Sequence, residues 1–410
     1  MSEPPNPASP SPFSRRLLSF GLFVFFPRPL SRTESVLDAS DNGLMPEQLS
    51  LRTLNRTLLL RQRLNERVDM PAADLIRHLV AVQAQEPNWP YVGLWSRLSD
   101  FRPDELSGLL EDRTILRATT IRRTVHLTDA QDYRWLYPTV RPAIEPTLRS
   151  AHLRDATEGL DISEFTSAGR ELLTGATVSR RDLGKQLSER FPNREPRDLV
   201  HALGIIHPLV HHAAAGTWGA WRGRSVSVSL AEEVVGAPLA GGPEPEMLVR
   251  RYLAAYGPAT AADIQEFAGV TRLTAVLNRM RAELRVLQDD SGRALFDLPD
   301  AVIAEPDLPA PVRFLPAFDN SCLGHRDRRR IIGDQDRARI AKIASGGVPM
   351  YLVDGFVHGR WDLDGSTMRV TPWHPLAGGD ADALHAEAER LLPLLAPGEK
   401  GKLVIEKVAG

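Results

Sequence analysis

Two glutamines flank a single alanine in the run Gln83-Ala84-Gln85. A carboxamide offers a hydrogen-bond donor and an acceptor without carrying charge, so a pair of them can position a water molecule and bridge a sugar oxygen. On a helix, residues two apart point to different sides, so the two amides converge only if the helix ends here in an irregular turn. The residues alone also allow a simpler interpretation, an ordinary surface turn.

Other residues with potential chemistry fit structural roles better. His207, His211 and His212 could present two imidazoles on one helical face, but no carboxylate stands at a ligand spacing from them. The run Asp362–Gly365 resembles part of a calcium loop but lacks the closing glutamate, which favours a β-turn. Cys322 is the single cysteine and we expect it to be a small buried hydrophobe. The chain contains no nucleophile-elbow, zinc-protease, phosphate-loop or dinucleotide-binding signature.

The composition is that of a globular protein. The chain has 410 residues, of which 42% are hydrophobic and 25% charged, which excludes collagen-like, wholly disordered and polytopic membrane proteins. The 50 basic and 52 acidic residues leave a formal charge of −2, so the protein is not coated in positive charge. Basic residues nevertheless outnumber acidic ones within 50–80, 170–225 and 313–339. We expect local basic surfaces there, unless these arginines pair with acidic residues on their own helices.

One order of elements, helices followed by a hairpin, recurs along the chain. In the first copy, helical patterns near 51–64, 71–85 and 103–110 precede a β-branched run over 119–127, which predicts a strand or a hairpin. The second copy has a helix capped by Ser179 and then a second helix and a hairpin, over 197–211 and 217–228. The third is the clearest, with helices over 247–256, 261–268 and 272–281, Thr260 as a cap, and a wing over 284–298. This order is typical of winged helix-turn-helix units.

The pattern changes after residue 300, where short strands separated by glycine and aspartate turns lead to a helix over 380–395. The sequence therefore predicts an α+β protein of three tandem winged helices and a small β-rich domain with a closing helix. We expect an N-terminal extension over 1–45 and a C-terminal domain over 306–410. Between them we expect three winged helices, over 46–160, 161–240 and 241–305.

The first 44 residues differ from the rest. They open with closely spaced prolines, and Arg15-Arg16 precedes a short apolar run over 17–26. That run is shorter than the roughly 20 residues that span a bilayer, and no small-residue cleavage site follows it. A twin-arginine export signal is one interpretation. We expect instead a disordered extension from an over-long reading frame, with Met45 as the true start.

Several motifs resemble those of the winged-helix DNA glycosylases related to AlkZ. The resemblance lies in the runs Leu79–Gln85, Tyr91–Arg97 and Arg122–Leu127, and farther on in Leu315–Asp319, Leu323–Arg328 and Asp354–Trp361. The motifs stand in the order of that family and extend over most of the chain. The resemblance implies three winged helix-turn-helix units followed by a β-barrel-like C-terminal domain.

The resemblance also implies a function for the paired glutamines. Gln83 and Gln85 would hold the attacking water and stabilise the oxocarbenium-like sugar while the N-glycosidic bond of an alkylated purine breaks. Some family members unhook interstrand crosslinks. An N7-alkylguanine is already cationic and leaves without a general acid, so neutral amides suffice where ordinary glycosidases use two carboxylates. Further residues are implied as contacts to DNA or its phosphates: Arg122, Thr124, His126, Arg326 and Arg328.

We therefore expect a monofunctional DNA glycosylase that needs no metal or cofactor. Its partner would be double-stranded DNA with alkylated bases, and it would act as a cytoplasmic monomer, away from membranes and associated with the nucleoid when bound. The alternative is a non-enzymatic winged-helix DNA-binding protein or transcriptional regulator. That alternative rests on the helix-turn-helix over 257–281, whose second helix offers Arg272, Asn278, Arg279 and Arg281.

Overall fold

The computed structural model describes residues 47–219, 225–343 and 347–408. They belong to two compact units. The larger takes its residues from Leu37–Leu308 and Asp319–Arg328, and the smaller from Pro309–Phe318 and Arg329–Gly410. The predicted N-terminal extension, with Arg15 and Arg16, lies outside the described residues.

The larger unit is mixed α and β. Its helices are α1 Leu51–Arg61, α2 Ala72–His78, α3 Trp89–Trp95, α4 Pro103–Glu111, α5 Ala130–Ile144, α6 Arg154–Thr157, α7 Ile162–Leu173, α8 Arg180–Arg190, α9 Pro196–Ile206, α10 Ala231–Val235, α11 Pro245–Tyr256, α12 Ala261–Ala268, α13 Leu273–Met280 and α14 Asn320–Leu323. Its strands are β1 Gln48–Leu49, β2 Val82–Gln83, β3 Ile115–Thr119, β4 Val125–Asp129, β5 Val178–Ser179, β6 Leu209–His211, β7 Ser227–Leu230, β8 Arg285–Asp289 and β9 Ala294–Asp297.

Strands of the first two helix-and-hairpin copies share one sheet. Its strand order is β2-β4-β3-β6-β7-β5 and its neighbouring strands are antiparallel. The hairpin predicted over 217–228 lies partly outside the described residues, and β7 at its end pairs with β6, which precedes it. In the β3–β4 hairpin, Ile115 faces Asp129 and Thr119 faces Val125. The apolar side chains of α2, α3 and α4 pack against this hairpin, and they include the buried Leu75, Leu94 and Leu106. Their burial holds the hairpin and β2 in a fixed register.

Two helix predictions were too long. The helix expected to run to Gln85 ends at His78, and Val82–Gln83 is a strand. Val80 takes a positive φ of 68°, which turns the chain out of the helix and into the sheet. The helix expected to reach His211 likewise ends at Ile206, because Leu209–His211 pairs with both β3 and β7.

The third predicted copy is confirmed in its order of elements. Helices α11, α12 and α13 precede the hairpin β8–β9, and β1 pairs with β8 in parallel. Thr260 caps α12 as predicted, because its side chain accepts from the Asp263 amide while the Asp263 carboxylate bonds back to Thr260. Gly269 ends the helix in the left-handed conformation, with φ 75°.

Several arginines of the predicted basic segment lie inside the larger unit. Arg56 and Arg61 are buried, and the Arg61 guanidinium makes two hydrogen bonds of 2.7 Å to the carboxylate of Asp297. Arg77 pairs with Asp129 and with Asp74 on its own helix. The charges of Arg61 and Arg77 are thus each paired with an acidic residue.

The smaller unit contains β10 Arg313–Leu315, β11 Met350–Val353, β12 Phe356–Asp364, β13 Thr367–Pro372, β14 Lys402–Ile405, α15 Asp334–Lys342 and α16 Asp380–Leu395. Its strands form one sheet in the order β10-β11-β12-β13-β14, antiparallel except for β13 and β14. No pairing of β10 with β14 closes this sheet in the part of the chain that the structure describes, so barrel-like closure is not confirmed. The predicted closing helix is present as α16, whereas β14 and α15 were not predicted.

Candidate active site

The paired glutamines lie at the edge of the six-stranded sheet, Gln83 in β2 and Gln85 in the bend that follows it. Gln83 is opposite His126 in the β2–β4 pair, and the Ala84 amide donates to the Val125 carbonyl at 2.8 Å. Gln85 stands past the end of β2, and the side chains of both glutamines bond to residues of the segment 122–125.

A tight turn between β3 and β4 stands beside this segment. Arg122 and Arg123 both have positive φ, 51° and 60°. Gly269, at the end of α12, lies against the turn, and a Cβ atom at position 269 would come within 3.0 Å of the Cα of Arg122. Only glycine combines this close approach with a positive φ at little cost. The end of α12 thus supports the turn that carries Arg122.

Arg122 holds the side chain of Gln83. Its Nη2 donates to Gln83 Oε1 at 3.0 Å and to Asn320 Oδ1 at 3.3 Å, and its Nη1 donates to the carbonyl of Phe267 at 2.8 Å. Nη2 also lies 3.4 Å from His126 Nε2. Burial lowers the pKa of Arg122 to about 10, and the guanidinium remains charged at neutral pH.

Gln85 is held by the backbone of the same turn. Its Oε1 accepts a hydrogen bond of 3.2 Å from the amide of Val125. Because the Arg122 guanidinium and the Val125 amide can only donate, the atoms that they contact must be the two amide oxygens. Within the described ranges, neither the Nε2 of Gln83 nor that of Gln85 donates to a protein acceptor. Both NH2 groups are therefore available to a ligand.

His126 is neutral and buried beneath this arrangement. Its Nδ1 lies 2.9 Å from the carbonyl of Thr124, so Nδ1 carries the proton and Nε2 is the acceptor that faces Arg122. Burial, with the charge of Arg122, lowers the pKa of His126 well below its usual value. Thr124 is partly exposed, and its hydroxyl donates to the carbonyl of Ile121 at 3.4 Å.

A second arginine fixes the backbone of the glutamine segment. Arg117 on β3 donates from Nε to the carbonyl of Ala84 at 3.1 Å and from Nη2 to that of Gln85 at 3.4 Å. Its Nη1 lies 2.7 Å from His211 Nδ1, and burial lowers the pKa of Arg117 to about 10. Burial raises the pKa of the neighbouring Glu86, although Arg117 opposes that shift.

Arg326 and Arg328 lie against α12, the helix whose end supports Arg122. Arg326 is exposed, and its backbone amide donates to Asp263 Oδ1 at 2.9 Å. Arg328 is partly buried, with its Nη2 3.7 Å from Glu266 Oε1. The structure therefore brings the implied DNA-contact residues to the same part of the larger unit.

Sequence reasoning missed four residues of this arrangement: Arg117, Phe267, Gly269 and Asn320. Only Asn320 had a signal, because it directly follows the family-like run Leu315–Asp319. The others are joined to the glutamine segment by pairing and packing that no local pattern records.

The alternative chemistries receive no support. His207 Nε2 bonds to the carbonyl of Thr166 at 2.9 Å and His211 is occupied by Arg117, so the histidines do not converge. Cys322 is buried, as predicted, and burial raises the pKa of its thiol to about 12. Among the residues that the structure describes, no group of three or more histidine, cysteine or acidic side chains could hold a metal ion. Over the same ranges, every helix is too short or too polar to cross a bilayer.

Comparison with known proteins identifies relatives of this chain. The Streptomyces sahachiroi protein named interstrand DNA cross-link repair glycosylase is 26% identical over 333 residues, which cover 76% of this chain and 88% of that protein. The solved structure of Streptomyces sahachiroi DNA glycosylase AlkZ shares the fold, with a TM-score of 0.72 at 21% identity over 88% of this chain and all of that one. The sequence model of the AlkZ-like DNA glycosylases matches residues 76–394, a span that includes both glutamines. The chain therefore belongs to the AlkZ-like family and is a DNA glycosylase.

Proposed function

We propose that this DNA glycosylase hydrolyses the N-glycosidic bond of N7-alkylated purines in duplex DNA, with Gln83 and Gln85 as its catalytic residues. We extend the proposal to interstrand crosslinks formed through such bases, which the enzyme would unhook by the same hydrolysis. The observation that carries it is the fixed orientation of the two amides, whose oxygens are held by Arg122 and Val125 and whose NH2 groups have no acceptor among the described residues.

The bound cationic base makes an acid unnecessary. As the bond between C1′ and N9 breaks, its electron pair passes to the purine, which leaves as a neutral N7-alkyl base. The sugar becomes oxocarbenium-like, water adds to C1′, and the water's proton passes to solvent. Neither a metal nor a cofactor is required for these steps, and none of Gln83, Ala84 or Gln85 is an amine that could form a Schiff base. We therefore propose a monofunctional enzyme that acts as a monomer.

The amides can guide the water without removing its proton. Each carbonyl oxygen has two lone pairs, and the protein uses one of them at Gln83 and one at Gln85. The remaining lone pairs accept from the water and place their partial negative charge near the sugar cation. The NH2 groups donate to a sugar or phosphate oxygen of the nucleotide, which fixes C1′ in front of the water.

We propose that the three helix-and-hairpin copies act as winged helices and that the DNA lies along them. Binding to DNA would associate the enzyme with the nucleoid. Arg326 is exposed and Arg328 and Thr124 are partly exposed, which suits contact with phosphates. His126 is buried and Arg122 is bonded to several protein acceptors, so we propose that both support the site.

The test is base release from duplexes that carry N7-methylguanine, followed by alkaline strand cleavage, with an N7-linked interstrand crosslink as a second substrate. We expect Gln83→Ala and Gln85→Ala each to slow release from both substrates. Gln131→Ala is the matched control, because Gln131 is an exposed glutamine whose Oε1 also accepts from an arginine, Arg134, at 3.2 Å.

The outcomes separate the parts of this proposal. Wild-type rates in the double variant Gln83→Ala/Gln85→Ala would refute the catalytic assignment. Release of N7-methylguanine with no cleavage of the crosslink would refute only the extension to crosslinks. Equal binding of lesion-bearing and undamaged duplex without base release would support the non-enzymatic alternative.

A further inference from the structure

The two glutamines are held by donors of different kinds. Gln85 is fixed by a backbone amide, that of Val125, which no side-chain substitution removes. Gln83 is fixed by a side chain, the guanidinium of Arg122. The orientation of Gln83 therefore depends on whatever fixes Arg122.

Arg122 is fixed from three directions. Its Nη1 bonds to the carbonyl of Phe267 at 2.8 Å, and its guanidinium carbon lies 5.8 Å from the centre of the Phe267 ring. Its backbone is held in a left-handed conformation against Gly269. Its Nη2 reaches Asn320 Oδ1 at 3.3 Å. A flexible side chain with these restraints has few rotamers left, so it presents Nη2 to Gln83 at low entropic cost.

Asn320 joins both sides of this contact. It is 5% exposed, its Oδ1 accepts from Arg122, and its Nδ2 donates to the carbonyl of Ala81, two residues before Gln83. One amide therefore ties the guanidinium to the strand that carries the glutamine. The residue before it, Asp319, is held by Arg97, which fixes the start of α14.

We infer that Arg122, held by Asn320, is a positioning residue for Gln83 alone. It binds the Gln83 oxygen and turns the NH2 group toward the nucleotide, while Gln85 is oriented independently. This assignment rests on the proposed function, because it requires Gln83 to act on the substrate. It also replaces the DNA contact that the resemblance implied for Arg122.

The test is a double-mutant cycle on base release from N7-methylguanine DNA under single turnover, with DNA binding measured separately. We expect Arg122→Gln to lower the rate of the bound complex by about 10- to 100-fold, the usual loss when a catalytic group is misplaced. The affinity for the duplex should stay near that of the wild type. Combining Arg122→Gln with Gln83→Ala should slow the enzyme no more than Gln83→Ala does, whereas the effects of Arg122→Gln and Gln85→Ala should multiply.

Two further variants test whether the effect is specific to the side chain of Arg122. Arg123→Gln alters the neighbouring arginine, which also has positive φ but whose guanidinium donates to the hydroxyl of Thr147 at 3.3 Å. This variant should leave the bound-complex rate unchanged. Asn320→Ala keeps the guanidinium of Arg122 and removes one of the groups that hold it. We expect this variant to lower the bound-complex rate less than Arg122→Gln does, with the same dependence on Gln83 and the same independence from Gln85. If Arg122→Gln does not fold, the same cycle with Asn320→Ala decides the question.

The inference is overturned if Arg122→Gln weakens DNA binding while the bound-complex rate is unchanged, because Arg122 would then be a phosphate contact. It is also overturned if the effects of Arg122→Gln and Gln83→Ala multiply. Full activity of Gln83→Ala itself would instead refute the proposed function, so the two failures are distinguishable.

Discussion

Arg97 and Asp319 form a buried bidentate ion pair, with Nη2 2.8 Å from Oδ1 and Nη1 2.9 Å from Oδ2. Arg97 also donates to the carbonyls of Gln62 and Gly93, each at 2.9 Å. Burial alone would raise the pKa of Asp319, but Arg97 and the hydrogen bonds from Ser321 outweigh it and the pKa is lowered. The pair fixes the residue before Asn320 and therefore one end of the network that holds Gln83.

Removing one partner of this pair should be costly, because it leaves a buried charge without compensation. We expect Arg97→Leu to lower the free energy of unfolding by about 3–5 kcal/mol. The measurement is urea denaturation of the full chain. Arg141→Leu is the control, because Arg141 pairs with Glu145 on an exposed helix face, where such pairs contribute about 0.5 kcal/mol. Equal losses in the two variants would contradict the structural role of the Arg97 pair.

The Arg97–Asp319 pair also predicts a loss of stability in acid. Because the folded pKa of Asp319 lies below its unfolded value, the pair stabilises the protein above that unfolded value and the contribution is lost as pH falls through the folded pKa. The difference in unfolding free energy between wild type and Asp319→Asn should therefore shrink as the pH falls below about 4. A difference that is constant with pH would show that Asp319 is not charged in the folded protein.

The rate of the bound complex should be flat between about pH 7 and pH 9. The glutamines do not titrate, the lowered pKa keeps His126 neutral, and Arg122, whose pKa is about 10, stays charged. Single-turnover base release measured across this range is the test. Glu86, whose pKa is raised, is the alternative general base. A rate that increases with pH in the wild type, but not in Glu86→Gln, would identify Glu86 as the general base in place of the amides.

Gly269→Ala should damage both stability and catalysis. The positive φ alone costs about 1–2 kcal/mol for a residue with a Cβ atom, and here that atom would also press on the Cα of Arg122. The control is Gly236→Ala, because Gly236 ends α10 with φ 68° and has no atom within 4 Å of the added methyl. Thermal unfolding should show a similar backbone cost in both variants. Base release from the bound complex should be slower only in Gly269→Ala. Unchanged catalysis in Gly269→Ala would mean that the turn tolerates the displacement.

Arg326→Gln should weaken binding to damaged and undamaged duplex alike. The loss of one phosphate contact should reduce the slope of log affinity against log salt by about 1. Arg170→Gln is the control, since Arg170 is also exposed but pairs with Glu232 at 3.2 Å. Fluorescence anisotropy at several salt concentrations measures both slopes. Identical slopes for wild type and Arg326→Gln would remove Arg326 from the DNA interface.

The sequence by itself determined the elements and the residue types that do the chemistry. Apolar periodicity, capping residues such as Thr260 and glycine turns act within a few residues, so the third helical copy and the helix Asp380–Leu395 could be predicted closely. The Gln83–Gln85 pair was visible for the same reason, because its chemistry is a property of the side chains themselves. The family resemblance added the role of the pair.

Only the tertiary structure decided how the pair is presented. Whether Val82–Gln83 is helix or strand depends on pairing with β4, more than forty positions later in the chain, and this pairing overrode the helical pattern before it. Arg122 reaches Gln83 because Phe267 and Asn320 surround it, and these partners come from segments 145 and 198 residues away. Such contacts are set by long-range pairing and burial, so local residue patterns do not predict them. The chemistry of the amides could thus be predicted from the sequence, whereas their orientation arises from packing between distant segments.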